Sequence, residues 1–274
     1  MKISHTAIAA IGKKIGEDAM TTFTLKMIAL ILMVLDHISY YFPSAPFWFR
    51  WLGRGSYPLF LFCMVWGYHY TKNRKRYLLR LYLMSIFMTV FGYALDNCLM
   101  VTENGYGNHN IFLPMFLTGV IISTIELFLR DRKKGTLLLI AIFLVQFLYY
   151  TIPFIIPFAG NLSGDTLTGI IPSLVLNEYG FDFIVLGVLM YFLREKKDWL
   201  CVVYSIFCIY QFSSEMFTSG TGNATQWMMI IALPFMLRYN RQKGPGLKYF
   251  FYVFYPAHTF LLFWLANYIF ANNG

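Results

Sequence analysis

Apolar runs recur along the chain from residue 23 onward, and short polar connections separate them. Continuous runs favour helices, whereas a membrane β-barrel alternates apolar and polar residues over about ten positions. A helix needs about 20 mostly apolar residues to cross a bilayer core. We therefore predict an all-α polytopic membrane protein with about nine transmembrane helices in one bundle: Phe23–Phe42, Tyr57–Tyr70, Tyr77–Leu95, Ile111–Leu129, Thr136–Phe158, Phe181–Leu193, Trp199–Phe217, Gln226–Leu237 and Leu247–Phe270.

Three segments need separate interpretation. Residues 1–22 are polar and predict a cytoplasmic N-terminal segment ahead of one transmembrane domain, residues 23–274. The first apolar run exceeds the 7–15 residues typical of a signal peptide, so we interpret it as a span. Leu167–Leu176 is apolar but short, which leaves a re-entrant and an interfacial segment both open.

Composition agrees with a membrane protein. Of the 274 residues, 58% are hydrophobic and only 13% are charged. Soluble domains carry about 25% charged residues. With half that share, this chain cannot cover the surface of a soluble enzyme with charged side chains, so that class of protein is excluded.

The net charge of +9 is distributed unevenly. In the nine-span model, all but two of the 22 basic residues lie on one side of the membrane, and the exceptions are Arg50 and Arg54. The positive-inside rule then places the N-terminus in the cytoplasm and the C-terminus outside. The acids on the opposite side are Asp96, Glu103, Asp165, Glu178 and Glu215. The basic balance therefore predicts a multi-pass protein of a cell membrane that contacts lipids and has no nucleic-acid partner.

Motifs exclude several classes of function. The four cysteines form no CxxC pair and three of them lie within apolar spans, so we expect packing there and neither metal binding nor a disulfide. The chain carries no Walker loop, no HExxH and no convincing internal repeat, which argues against ATP-driven transport and a typical secondary transporter.

Ionisable side chains within the predicted spans are the first candidates for function, because charge is costly at membrane depth. His37 lies eleven residues beyond Lys26, about 16 Å deep at 1.5 Å per residue. His258 lies ten residues beyond Lys248, at a similar depth. We expect the two imidazoles to meet within about one helix diameter if the first and last spans pack together.

Asp36 needs a cation from another helix, since adjacent residues on a helix point about 100° apart. The available cations are Arg54 and Arg50. A structural ion pair and a role in catalysis or substrate binding both remain open for it.

Other polar groups receive simpler interpretations. His69 is expected to snorkel at the cytoplasmic interface, and His109 to be solvated in a polar loop. Gln146 is expected to pack between helices. In the last span, Tyr252 and Tyr255 share a helical face with Lys248 and are candidates for substrate binding.

A basic cluster follows the second predicted span: Lys72, Arg74, Lys75, Arg76 and Arg80. It can serve membrane insertion and contact with anionic lipids. Alternatively, with Lys248, it forms a cytoplasmic mouth for an acyl coenzyme A, because arginine recognises phosphate with two parallel hydrogen bonds.

Three segments resemble the TraX family, known for an inner-membrane protein that N-acetylates conjugative pilin. They are residues 25–38, which contain Asp36-His37, residues 52–77, which contain Gly53-Arg54, and residues 247–258, which end in Pro256-Ala257-His258. The family is similar to a broader group of multi-span acyltransferases with an intramembrane histidine near the first span and another in a late span. The resemblance implies catalytic roles for His37 and His258, with Arg54 matching the Gly-Arg element.

The expected function is therefore acyl transfer from cytoplasmic acetyl-CoA, or another acyl-CoA, to an amine or hydroxyl of a pilin, peptide or small molecule. A histidine would act as the base or carry the acyl group, and Arg54 or a tyrosine would stabilise the oxyanion. One competing hypothesis is a transporter or export component in which Asp36, His37 and His258 relay protons. A non-enzymatic scaffold is the other.

Overall fold

Helices make up nearly all of the regular structure. The computed structural model describes residues 19–102, 105–160, 162, 164–219 and 224–273. Across these residues the strand-like pairing is confined to one isolated bridge, between Met20 and Tyr239. The prediction of an all-α fold is confirmed, while most of the predicted N-terminal segment lies outside the described residues.

Every predicted span coincides with helical structure. The helices are α1 (Thr22–Tyr41), α2 (Trp48–Gly53), α3 (Ser56–Tyr70), α4 (Arg74–Ala94), α5 (Phe112–Arg130), α6 (Arg132–Ile155), α7 (Pro157–Gly160), α8 (Gly164–Ile170), α9 (Gly180–Leu193), α10 (Lys197–Ser219), α11 (Ala232–Leu237) and α12 (Lys248–Asn273). A π-helical turn, Leu95–Leu99, continues α4, and a 3-10 turn, Gln226–Ile231, precedes α11.

Six helices in the described part of the chain are long and apolar enough to cross a membrane. They are α1, α4 with its π-helical turn, α5, α6, α10 and α12. The other three predicted spans fall on α3, on α9 and on the 3-10 turn with α11. The longest of these, α3, has 15 residues and covers about 22 Å, less than the roughly 30 Å of a bilayer core. The nine-span count and the orientation therefore stay predictions.

Polar side chains set where helices begin. Thr21 caps α1 by accepting the amide of Thr24 at 3.2 Å. Asn73 caps α4 in the same way, and Asp131 accepts the amide of Lys134 at 3.2 Å to cap α6. Helix α5 ends just before Asp131, and α6 begins just after it. The capping residue therefore divides the apolar stretch from residue 112 to residue 155 into two helices.

The chain divides into two compact units, and the first combines residues 1–63 with 201–251. In its described part, α1 packs against α2, and α2 packs against the 3-10 turn. The start of α1 is tied to the basic connection after α11, since the Thr22 amide donates to the Gln242 carbonyl at 2.8 Å. Gly244 makes this approach possible, because its φ is 68° and a Cβ there would lie 2.7 Å from Thr21 Oγ1.

The second unit combines residues 64–200 with 252–274. Helix α5 packs against α4, α6 and α9, and half of its most apolar stretch is buried. By contrast, only 6% of the corresponding stretch of α6 is buried, and Phe143 and Phe147 on α6 are about two-thirds exposed. A bilayer accommodates such a surface at no cost, because lipid tails are as apolar as the side chains.

The ambiguous segment Leu167–Leu176 consists of α8 followed by irregular chain. Gln146 of α6 holds this chain, because its Nε2 donates to the Pro172 carbonyl at 2.9 Å and its Oε1 accepts the Leu174 amide at 2.8 Å. Gln146 thus bonds to irregular chain, whereas the prediction was that it packs between helices. Its hydrogen bonds satisfy backbone groups that irregular chain would otherwise leave unpaired in a membrane.

Candidate functional site

An ion pair between α1 and the end of α2 is the main polar feature of the first unit. Asp36 projects from α1, and Arg54 follows the last residue of α2. Nη2 of Arg54 contacts both carboxylate oxygens, and the two side chains are only 15% and 20% exposed. The predicted pairing of Asp36 with Arg54 is confirmed. Breaking a largely buried pair is costly, because it leaves one charge uncompensated.

Gly53 allows the pair to form. A Cβ at this position would lie 2.4 Å from the Asp36 Cβ and 2.6 Å from its Oδ1. Real side chains do not come this close, so α2 can approach the carboxylate only with glycine here. The Gly-Arg sequence therefore has a physical basis. Gly53 allows α2 to approach α1 closely, and Arg54 supplies the positive charge that pairs with Asp36.

The ion pair extends to the 3-10 turn, which sequence reasoning missed. Nη1 of Arg54 donates to Gln226 Oε1 at 3.1 Å. The backbone amide of Gln226 donates in turn to Glu215 Oε2 at 2.8 Å. A glutamine that opens a short apolar segment is the signal that could have pointed to this contact.

His37 follows Asp36 on α1 and is buried, with 7% of the residue exposed. It lies in the same helical stripe as Leu30, Met33 and Tyr41, which are also buried. The imidazole is therefore enclosed by the fold, one residue away from a fixed ion pair.

His258 lies in the second unit, on the buried side of α12. Its Nδ1 is 2.8 Å from the Phe254 carbonyl oxygen, and its ring stacks on the Phe254 ring at a centroid distance of 4.9 Å. A carbonyl only accepts, so Nδ1 carries the proton and Nε2 of the neutral ring is an acceptor. Since His37 and His258 belong to different units, the predicted meeting of the two imidazoles stays a prediction.

His109 is not solvated, so that prediction is wrong. It is 7% exposed, and its ring lies edge-on to Tyr106 at 5.0 Å. The Tyr106 hydroxyl is 2.5 Å from Thr259 Oγ1, which fastens the loop to α12. Burial, and secondarily the nearby His258, lower the pKa of His109 to about 4. His109 is therefore neutral near pH 7. It lies near His258, whereas the sequence had predicted only a solvated loop residue.

A polar cavity of about 200 Å³ lies beside this loop. Its walls come from the end of α4, the π-helical turn, residues 107–110 and Thr166 of α8. Asn110 anchors the loop, because its Nδ2 donates to Ser85 Oγ at 3.0 Å and to Thr89 Oγ1 at 3.1 Å. The backbone amide of Tyr106 donates to Asp96 Oδ1 at 2.5 Å.

The basic cluster that was predicted to bind a coenzyme, residues 72–80, contains both residues with side-chain contacts and exposed residues. Arg74 is engaged: it forms an ion pair with Glu126, donates to the Tyr191 hydroxyl at 2.9 Å and covers the Tyr68 ring at 4.8 Å. Lys72 and Arg76 are exposed beside it. The contacts of Arg74 were not foreseen, because Glu126 and Tyr191 are distant in sequence.

The remaining predicted site residues lie on or against α12. Arg80 lies near Tyr252, and its guanidinium is 5.8 Å from the Tyr77 ring centroid. Tyr255 is buried and lies edge-on to Phe112 at 5.3 Å. Lys248 begins α12, and its side chain lies outside the described part of the chain.

Comparison with known proteins gives a family match and two relatives. A family model described as "TraX protein" matches residues 22–160 and 166–266. A "Probable fimbrial assembly protein FimC, serogroup H1" from Dichelobacter nodosus is 28% identical over 250 residues, covering 88% of this chain and 94% of that protein. "Protein TraX" from Escherichia coli is 43% identical over 49 residues, which is 18% of this chain and 19% of that protein. No solved structure matches significantly.

Proposed function

Because the chain belongs to the TraX family, we propose that it is an integral acyltransferase of the bacterial cytoplasmic membrane. It would move an acyl group, in the simplest case acetyl, from a cytoplasmic acyl coenzyme A to an amine or hydroxyl acceptor. The observation that supports this proposal is the buried His37 next to the Asp36–Arg54 pair, within the residues that the family model matches.

In this proposal His37 is the general base. It takes a proton from the acceptor N–H or O–H while the acceptor lone pair forms a bond to the acyl carbon. The carbon–sulfur bond then breaks, and the departing thiolate takes up the proton that the imidazole returns. A neutral imidazole suits this exchange, since its ordinary pKa lies near physiological pH.

Asp36 and Arg54 act as positioning residues. The terminal nitrogens of Arg54 already bind Asp36 and Gln226, so the guanidinium is held in place. The pair joins α1 to α2 and leaves no net charge one residue away from the imidazole. His258, whose Nδ1 is held by a carbonyl, is the second candidate base.

The name of the Dichelobacter nodosus relative favours a fimbrial or pilus subunit as the acceptor. The same name also fits a second candidate, a non-enzymatic assembly or export component. The two functions differ in one respect, because only an acyltransferase must bind an acyl coenzyme A.

Binding of acetyl-CoA to the purified protein therefore tests the proposal. Isothermal titration should detect binding by the wild type. Lys72→Gln/Arg76→Gln should weaken it at least tenfold, since each lost contact to a phosphate costs about 1.5–3 kcal/mol. Arg132→Gln/Lys133→Gln, an exposed basic pair at the start of α6, should leave the Kd unchanged.

Each alternative outcome has a clear meaning. A wild type that does not bind acetyl-CoA would support the assembly or export component. Binding that is equally weakened by both double variants, or by neither, would remove Lys72 and Arg76 from the coenzyme site.

A further inference from the structure

An apolar groove of about 410 Å³ opens on the surface of the second unit, between α4 and α12. Each helix contributes side chains that recur about once a turn and so share one face. These include Met84, Phe87 and Phe91 of α4 and Tyr252, Pro256 and Phe260 of α12. At the end of both stripes, the rings of Phe91 and Phe260 meet at a centroid distance of 6.0 Å.

The groove faces away from the interior of the unit. Phe87 and Val253, which line it, are 47% and 67% exposed. Both lining helices are long and apolar enough to cross a membrane, so this surface lies where lipid surrounds the protein. A peptide would bring backbone polar groups that an apolar and aromatic wall cannot pair with. The ligand chemistry that matches the wall is therefore a hydrocarbon chain.

The volume of the groove limits how much hydrocarbon it can hold. A methylene group takes up about as much space as a water molecule, about 30 Å³, so 410 Å³ holds about 14 carbon atoms. That is close to one acyl chain of a membrane lipid and too little for two. Burial of such a chain is favourable in proportion to the number of methylene groups that it contains.

A positive charge lies at the other end of the groove. Arg80 precedes Met84 by about one turn of α4, and its half-buried side chain lies near Tyr252. It is six residues from the start of α4 at Arg74, about 9 Å along the helix. Among the described residues, no carboxylate forms an ion pair with Arg80. Arginine near a membrane surface binds phosphate well, because its guanidinium donates two parallel hydrogen bonds.

The apolar wall and the terminal cation together match an amphiphile with one negative charge. We infer that the groove binds one acyl chain of an anionic phospholipid, whose phosphate pairs with Arg80. The chain would run from Arg80 along α4 toward Phe91, eleven residues and about 16 Å away. The predicted topology places the phosphate on the cytoplasmic side of the membrane.

The lipid would also contact α12 beside a candidate catalytic residue. Pro256 and Ala257 line the groove, and His258 is the next residue on the helix. The binding itself does not depend on the proposed acyl transfer, because it involves neither a coenzyme nor an acceptor.

Native mass spectrometry of the purified full chain tests the inference. The protein is released from detergent after titration with phosphatidylglycerol, which is anionic, or with phosphatidylcholine of the same acyl chains, which has no net charge. The wild type should retain one phosphatidylglycerol with a Kd at least tenfold lower than that for phosphatidylcholine. Lysophosphatidylglycerol, which has a single chain, should compete, and glycerol phosphate, which has none, should not.

Two variants separate the charge from the groove. Arg80→Gln should weaken phosphatidylglycerol binding at least tenfold and remove the preference over phosphatidylcholine. Ala257→Phe, at an exposed position in the groove, should weaken the binding of both lipids, because the added ring occupies the place of the chain. The matched controls, Arg130→Gln at the exposed end of α5 and Ala141→Phe on the exposed face of α6, should bind like the wild type.

Four results would overturn the inference. They are equal affinity of the wild type for the two lipids, competition by glycerol phosphate, unchanged binding in both groove variants, and a wild-type dimer that Ala257→Phe converts to a monomer. The last would show that a second copy of the chain covers the groove. If Arg80→Gln does not fold, the comparison of Ala257→Phe with Ala141→Phe and of the two lipids on the wild type decides the question.

Discussion

Burial controls the charge of His109. The ring is buried against Tyr106, and this desolvation, with His258 nearby, lowers its pKa to about 4. The pKa of a histidine in an unfolded chain is about 6.5. Between these two values the unfolded chain binds more protons than the folded protein, so the free energy of unfolding falls as the pH is lowered through this window.

The first prediction concerns this pH dependence. The contribution of His109 to stability should be fully present above pH 6.5 and should be lost progressively toward pH 4. The difference corresponds to about 3 kcal/mol at 1.36 kcal/mol per pKa unit. His109→Gln, which cannot charge, should show a flatter dependence of thermal unfolding on pH. Parallel curves for the variant and the wild type would contradict the burial of a neutral imidazole.

His109 and Arg54 also show what sequence reasoning can reach at single residues. The partner of Asp36 could be predicted, because a carboxylate in an apolar span needs a cation and only Arg50 and Arg54 were near. The burial of His109 could not be predicted, because a loop rich in asparagine and glycine looks the same whether it is solvated or docked. Its docking depends on Asn110 and Tyr106, whose partners are distant in sequence.

At the scale of elements, the close approach of α1 and α2 determines the geometry around His37. The approach depends on Gly53, since any side chain there would meet Asp36. Helix α2 was not predicted, because its six residues are too few to show a helical period. The longer helices were predicted correctly, because their apolar runs extend over several turns.

The second prediction tests this approach. Gly53→Ala should destabilise the protein by about 1–3 kcal/mol, the usual cost of overpacking, and should weaken acyl transfer by displacing Arg54. Gly246→Ala is the matched control, because a Cβ at that position meets nothing within 4 Å. Thermal unfolding of the two variants in the same detergent gives the comparison. Equal unfolding temperatures would show that α2 can move away from α1 freely.

At the scale of the whole molecule, the distribution of basic residues predicts the orientation of the protein in the membrane. The long apolar helices and the exposed apolar face of α6 support a membrane protein. Neither feature gives the number of spans, because α3, α9 and α11 with its 3-10 turn are short. That number and the orientation depend on the bilayer itself, so they need an experiment in cells.

The third prediction uses a native cysteine. Cys98 is exposed in the π-helical turn, on the predicted outer side, and should react with an impermeant maleimide in intact cells. In a background with Cys98 replaced by serine, Lys133→Cys should be protected, and Asn272→Cys should react. Labelling of Lys133→Cys from outside would contradict the nine-span topology.

Transfer of labelled acetyl groups tests the central claim most directly. Membranes that contain the protein and a fimbrial or pilus subunit are incubated with radiolabelled acetyl-CoA, and the label on the subunit is counted. The wild type should transfer label, and His37→Gln should reduce the rate by about 10²–10⁴-fold, the usual contribution of a general base. His5→Gln, the same change ahead of the residues that the family model matches, should transfer label like the wild type. Transfer by His37→Gln at the wild-type rate, or no transfer by the wild type, would contradict a histidine-dependent acyltransferase.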